Sequence, residues 1–327
     1  QSDPLMPADT MEFIREILSE KQYNAFLEKG DADIAYGVPG LGRFRVNILR
    51  QRGSVGLVMR HVKGVIQDFT SLNLPPVMSK IAEFPRGMVL ITGTTGSGKS
   101  TTLASIIDWL NGHKRVHIIT LEDPIEFLHT NKRSIITQRE ISIDTLDFRG
   151  ALRAAMREDP DVILIGEMRD NETFQTAVSA AETGHLVFST LHTTNVMLTM
   201  DRIMEMFPSD QQQQVRGQLA MQLRACVSQR LLPAADGKGR VPAIEVMLNN
   251  PGIAQLIREN NLRQIPGAMI AGAEEGMQTF NMSLAALVKR GLINESDAML
   301  ASDNPDELKM NMQGIFHSGS RGGILRK

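Results

Sequence analysis

The chain has 327 residues, 42% of them hydrophobic, and a formal net charge of −2. That length fits two domains or one large one, and the near-neutral balance gives no support to bulk binding of nucleic acid or of a membrane surface. A single cysteine, Cys226, excludes an internal disulfide framework and a four-cysteine zinc site, and suits a reducing compartment. No apolar run approaches the ~20 residues needed to span a bilayer, and no signal peptide is visible. Residues 1–10 are polar and proline-bearing and read as a mobile end. Residues 11–28 predict one amphipathic helix, with Phe13, Ile14, Ile17, Leu18, Phe26 and Leu27 as its apolar positions and Gly30 as its stop. Three strands are expected next, over 33–36, 43–50 and 55–62. The middle one alternates, with Phe44, Val46 and Ile48 on one face and Arg43, Arg45 and Asn47 on the other. This reads as a small antiparallel sheet with one wet face. Residues 64–74 read as a linker, and helix resumes near Pro76.

The rhythm changes at Gly87. Apolar strands are expected over 88–92, 117–121, 162–165 and 186–191, with helices over 100–110, 145–158 and 171–183 between them. Such alternation implies a parallel sheet covered on both faces, and ligands of these sheets bind at the carboxyl ends of the strands. The remainder reads as mostly helical. Residues 211–229 predict a long amphipathic helix. Val215, Leu219, Leu223, Cys226 and Val227 form its stripe, which makes Cys226 a small core residue. Phe280, Leu284, Leu287 and Val288 mark another helix, closed by Gly291. Asn304-Pro305-Asp306-Glu307 has the cap, proline and acid of a helix start. Residues 318–327 are glycine-rich and basic and read as a flexible tail. The expected domains are 1–63, a linker over 64–74, 75–317, and that tail.

Four motifs carry chemistry, and each falls at the end of an expected strand. Gly93-Thr94-Thr95-Gly96-Ser97-Gly98-Lys99-Ser100, followed by Thr101, fits the phosphate-loop pattern between a strand and a helix. Glycine there lets backbone N–H groups turn inward around phosphate. Lys99 can neutralise the outer phosphates, and the Ser100 hydroxyl can ligate magnesium. Asp161-Val162-Ile163-Leu164-Ile165-Gly166-Glu167 delivers Glu167 to the same edge, where an acid can hold magnesium through water or orient the attacking water. In Leu121-Glu122-Asp123-Pro124-Ile125-Glu126, Asp123 could cap a turn, while Glu126 is the freer candidate for a general base. In the segment from Thr183 to Thr193, His192 could sense the γ-phosphate or be a satisfied histidine. His185 reads as a structural hydrogen-bonding group near a helix end.

In this order the motifs resemble the secretion ATPase superfamily of type II secretion and type IV pili. Gly42-Arg43-Phe44-Arg45-Val46-Asn47, Ile118 to Glu126, Gly166-Glu167-Met168-Arg169-Asp170, Gly276-Met277-Gln278-Thr279 and the histidine segment resemble the PilT-type pilus retraction ATPases, over about residues 11–308. The resemblance implies an α/β fold: a RecA-like P-loop ATPase domain with a smaller PAS-like α+β domain before it. It implies a homohexamer with ATP and Mg2+ bound between subunits. It makes Lys99 and Ser100 the P-loop pair, Glu167 the Walker B glutamate, Glu126 the catalytic base and His192 part of the histidine box. Arg45 and Arg60 match arginines that reach a neighbour's nucleotide, and Arg202 matches another arginine near it. The implied partner is an inner-membrane platform protein, with a paralogous retraction ATPase as a second. The implied place is the cytoplasm, at that membrane's inner face.

Three departures qualify the match. The family's opening helix and strands, with their Ser-Asp-Leu-His signature, are not found, so the first domain is expected to be incomplete at its start. Thr94 stands where relatives often have proline, which should alter loop stiffness more than phosphate contacts. The family's Ala-Ile-Arg-Asn-Leu-Ile-Arg-Glu motif reads Gly252-Ile253-Ala254-Gln255-Leu256-Ile257-Arg258-Glu259 here, so only its second half survives. The rival readings are an extension or secretion ATPase, which typically carries a four-cysteine zinc insert, and a PilU-like accessory subunit. A nucleic-acid motor is a third, and would need a basic strand-tracking surface.

Overall fold

In the computed structural model the described residues are 4–38, 40–62, 64–316 and, for backbone alone, 317 and 324–326. They form two compact units. The smaller comprises Gln1–Val65 together with Pro124–Leu128, and the larger Ile66–Asp123 and His129–Lys327.

The smaller unit opens with helices α1 (Pro7–Ile17) and α2 (Glu20–Lys29), followed by strands β1 (Asp31–Val38), β2 (Gly42–Gln51) and β3 (Ser54–His61). The single helix expected over 11–28 is two. Ser19 is extended and starts α2 with a capping box: its hydroxyl accepts from the Gln22 amide, and the Gln22 side chain accepts from the Ser19 amide. Helix also begins earlier than expected, because Pro7 fits the first helical position, inside the stretch read as mobile. The strands form an antiparallel meander in the order β1-β2-β3. Val46 and Ile48 face a core of Ile14, Leu18, Phe26, Ile34 and Val55, as the alternation predicts.

The larger unit carries α3 (Val77–Ala82), β4 (Gly87–Thr92), α4 (Lys99–His113), β5 (His117–Glu122), β6 (Ile135–Glu140), α5 (Phe148–Ala155), β7 (Val162–Ile165), α6 (Asn171–Glu182), β8 (Leu186–Leu191), α7 (Val196–Glu205) and α8 (Gln212–Gln222). Strands β9 (Leu223–Pro233) and β10 (Arg240–Leu248) follow. Then come α9 (Pro251–Arg258), α10 (Ile265–Ala271), α11 (Phe280–Lys289), α12 (Glu295–Ala301), α13 (Pro305–Met312), β11 (Ile315–His317) and β12 (Ile324–Arg326). Seven strands form one sheet in the order β10-β9-β4-β8-β7-β5-β6. All neighbours are parallel except β9 and β10. Every residue of β4, β7 and β8 is buried, as strands covered on both faces must be. Burying a side chain such as Phe188 contributes roughly 2–3 kcal/mol each time.

The helix expected over 211–229 stops at Gln222, and the chain continues as β9. Ala225, Cys226, Val227, Ser228 and Gln229 are buried in succession, which a strand between two covered faces allows and a surface helix does not. Cys226 is a core residue as expected, but on a strand, and burial pushes its thiol up to about 12. The sheet is therefore mixed, and β6 at its far edge was not foreseen. The linker over 64–74 contains neither helix nor strand, and the expected starts of α11 and α13 are capped by Thr279 and Asn304. Most of the tail expected to be flexible, 318–323 and 327, lies outside the described residues, while 324–326 pair with 315–317.

Candidate active site

The phosphate loop follows β4 directly. Gly93 has φ +147°, and a β-carbon there would meet the Ser97 Oγ at 2.4 Å and the Gln229 carbonyl at 2.5 Å, so no side chain fits. Gly96 and Gly98 take left-handed φ values of +79° and +93°. Gly98 precedes α4 and supplies no side-chain cap, which leaves the first N–H groups of that helix for an anion. The Lys99 ammonium is folded over the loop, donating to the carbonyls of Gly93 at 2.9 Å and Thr94 at 3.1 Å. The Ser97 hydroxyl is buried with no hydrogen-bond partner among the described residues. Ser100 and Thr101 are half-buried in the first turn of α4. A glycine cradle, a lysine folded across it and an orphaned hydroxyl fit a phosphate chain.

Parallel pairing of β5, β7 and β8 brings three strand ends together. Gly166 lets β7 pass close to β5, since a β-carbon there would lie 3.2 Å from the Leu121 carbonyl. From β8, Ser189 donates to the Ile165 carbonyl at 2.9 Å and Thr190 to the Gly166 carbonyl at 2.6 Å. Glu167 is thereby held between two basic groups: Arg169 Nη2 lies 2.8 Å from one carboxylate oxygen and His192 Nε2 3.3 Å from the other. The Glu167 hydrogen bond and charge, with the charge of Asp123, hold the Arg169 guanidinium above its ordinary value. A carboxylate oriented from both sides can hold a metal-bound water or align an attacking one. On β5, Glu122 accepts from the Thr120 hydroxyl at 2.7 Å and the Gln138 amide at 3.2 Å.

The structure thus places Thr95, Gly96, Ser97, Gly98, Lys99, Ser100 and Thr101 in one loop and helix start, and brings Glu167 to His192. Arg202 is not brought to either. It is exposed on α7 and pairs with Glu205 at 3.2 Å. Arg45 and Arg60 face each other directly across β2 and β3 in the smaller unit, and neither has an ion pair among the described residues. Glu126 lies in Pro124–Leu128, exposed between the buried Ile125 and Phe127. His185 makes the structural bond expected of it, to the Ala180 carbonyl at 2.8 Å. Sequence reasoning missed Arg169 and Glu122 as site groups. Arg169 stands two residues after Glu167 in a quoted motif, and that spacing was the available signal. Among the described residues no cluster of three or more His, Cys, Asp or Glu could hold a metal by itself, and no helix is long and apolar enough to cross a membrane.

Residues 42–299 match the model of the type II/IV secretion system protein family. The chain is 45% identical to the type IV pilus retractation ATPase PilT of Pseudomonas aeruginosa, over 93% of this chain and 88% of that protein. It is 42% identical to the type IV pilus ATPase PilU of the same organism, over 94% of this chain and 80% of that one. Among solved structures, that of the pilus retraction motor PilT with bound ADP superposes with a TM-score of 0.86 at 49% identity, covering 93% of this chain and 87% of that one. With its P-loop, its paired Glu167 and His192 and its seven-stranded sheet, the chain belongs to the type II/IV secretion system protein family and, within it, to the PilT-type retraction ATPases.

Proposed function

We propose that this ATPase is the motor that removes pilin subunits from the base of a type IV pilus. The observation that carries the reading is the fixed carboxylate of Glu167, held by Arg169 and His192 on the sheet edge that also bears the phosphate loop. Lys99 neutralises the outer phosphates, and the loop amides orient them. Glu167, beside two basic groups, aligns the attacking water, and Glu126 serves as general base. The Ser100 hydroxyl and, through water, Glu167 would hold Mg2+, which when bound supplies charge neutralisation across the phosphates. The all-oxygen character of that pair suits a hard cation that keeps most of its waters.

The working form is a homohexamer with nucleotide between subunits. Arg45 and Arg60 are directly opposed like charges, an arrangement that costs stability unless an anion joins them. A phosphate presented by the neighbouring subunit is that anion, and Arg202 adds to the same field. Hydrolysis then acts on an inner-membrane platform protein from the cytoplasmic side. The departures at Gly252, Ala254 and Gln255 favour, as a second reading, an accessory role beside a paralogous retraction ATPase.

Glu167→Gln tests the assignment, because it keeps volume and loses charge. ATP affinity is expected to persist, hydrolysis to fall ~100-fold or more, and retraction to stop in cells carrying it as their only copy. Wild-type turnover in that variant would remove Glu167 from the chemistry. Full retraction with hydrolysis abolished would leave the accessory reading.

A further inference from the structure

Gln229 stands on β9 beside the residue that opens the phosphate loop. Thr92 is the register partner of Ser228, so Gln229 comes level with Gly93. Its side chain is buried and makes two hydrogen bonds. The amide nitrogen donates to the Ser97 carbonyl at 2.6 Å, and the amide oxygen accepts from the Thr102 hydroxyl at 2.9 Å. A carbonyl can only accept, so the NH2 end must face Ser97, and the hydroxyl supplies the donor the other end needs. The neighbours therefore fix which way the amide points. The same strand supports the loop twice more. The Gln229 carbonyl fills the space beside Gly93, and Leu231 packs at 3.5 Å against the β-carbon position of Gly98. Across the hairpin, Arg240 donates to the Gly96 carbonyl at 3.4 Å.

A planar trans peptide carries its C=O and N–H on opposite sides. Gripping the Ser97 carbonyl from behind therefore turns the Gly98 N–H away from Gln229, toward the side where the loop takes phosphate. Gly96 and Gly98 have no side chains to resist rotation of the intervening peptides, and both sit at positive φ. The rigidity of this stretch must come from outside the loop.

We propose that Gln229 is a positioning residue of the nucleotide site: it acts through the Ser97–Gly98 peptide and holds that N–H in the phosphate-binding orientation. Strand β9 is by this assignment part of the nucleotide site, although no motif marks it. The proposal rests on the phosphate-binding reading of the loop, which Lys99→Ala tests separately.

The experiment is titration of the full chain with fluorescent mant-ADP, together with KM and kcat for ATP, below the measured unfolding transition. Gln229→Met keeps length and loses both hydrogen bonds. Its mant-ADP Kd and its KM are expected to rise about tenfold with kcat changed less than about threefold, because the contact is the same before and during reaction. Thr102→Val removes only the bond that steers the amide. It is expected to cost about threefold alone and nothing further on top of Gln229→Met. A folded Gln229→Met protein whose Kd stays within about twofold of the parent overturns the proposal, provided Lys99→Ala weakens mant-ADP binding. If Lys99→Ala also binds normally, the loop reading itself fails. Should Gln229→Met not fold, Thr102→Val decides: unchanged affinity overturns the proposal and weakened affinity supports it.

Discussion

Glu245 offers a perturbation whose size can be worked from the structure. It lies buried on β10, and one carboxylate oxygen accepts the Val196 N–H, at the start of α7, at 2.7 Å. Burial pushes its carboxyl from 4.5 up to about 7. The Val196 bond, the charge of Arg230 and the Ser228 hydroxyl pull it back down, while Asp303 pushes it up. The thiol of Cys226 nearby, at about 12, stays neutral throughout. Between pH 4.5 and about 7 the unfolded chain releases the Glu245 proton and the folded chain keeps it. The native state then binds more protons, so this residue's contribution to stability falls as pH rises. At ~1.4 kcal/mol per pH unit the loss amounts to ~3 kcal/mol, complete above about pH 7. Glu245→Gln keeps an acceptor for Val196 and cannot ionise. The variant should match the parent near pH 4.5 and exceed it by up to ~3 kcal/mol at pH 8. Denaturant unfolding of both proteins from pH 5 to 8.5 measures the gap directly. A gap that stays constant across that range, or a variant less stable than the parent at pH 8, would refute the reasoning.

Two further outcomes are expected. Mixing Arg45→Ala subunits with Glu167→Gln subunits should restore part of the ATPase activity, since one class of interface in mixed rings keeps both groups; mixed rings that form and stay inactive count against shared sites. Arg258 is exposed on α9 and donates to Gln255 at 3.0 Å, so Arg258→Ala should alter unfolding by less than ~0.5 kcal/mol and leave ATPase activity intact while abolishing pilus retraction in cells. Normal retraction with that variant as the only copy would show that the surviving Leu256-Ile257-Arg258-Glu259 half does not transmit the stroke.

The sequence was most legible where one physical demand dominated. Strands β7 and β8 run over the expected residues because a covered parallel strand must be apolar throughout, and each is bounded by polar or glycine residues. The loop was legible because the close approach of Ser97 and Gln229 at Gly93 admits nothing but glycine. Legibility failed where two periods coincide. Val215, Leu219, Leu223 and Cys226 fit a helical stripe, yet the first two belong to α8 and the last two to β9. Ser19 was overlooked because apolar residues continue on both sides of it, although its spacing to Gln22 is the capping signal. Arg169 was signalled only by its spacing to Glu167 within a short motif, and Glu122 takes the Gln138 amide from the neighbouring strand β6, a partner no local pattern shows.

The interior of the site was its least legible part, because its contacts join residues far apart in the chain. Thr92, the last residue before the loop, shares a hydrogen bond of 2.7 Å with Ser228 of β9 and lies 3.4 Å from the Thr199 hydroxyl of α7, which also reaches the Asn195 carbonyl at 2.8 Å. Thr199 in turn shares a hydrogen bond of 2.6 Å with Thr193, which directly follows His192. Glu245 fixes the start of the same helix through Val196. Read along the chain, these are ordinary strand and helix residues, short enough to pass as core. In space they form a continuous polar seam from the phosphate loop to the histidine that contacts Glu167. Each bond contributes only about 1 kcal/mol net, but an unmatched member would cost more than a matched one contributes, because the seam is buried. A shift of the loop is therefore resisted at the His192 segment and at the start of α7 together. On this account the histidine segment, the start of α7 and the phosphate loop are tied together, and apart from Thr193 the residues that tie them lie outside the four motifs.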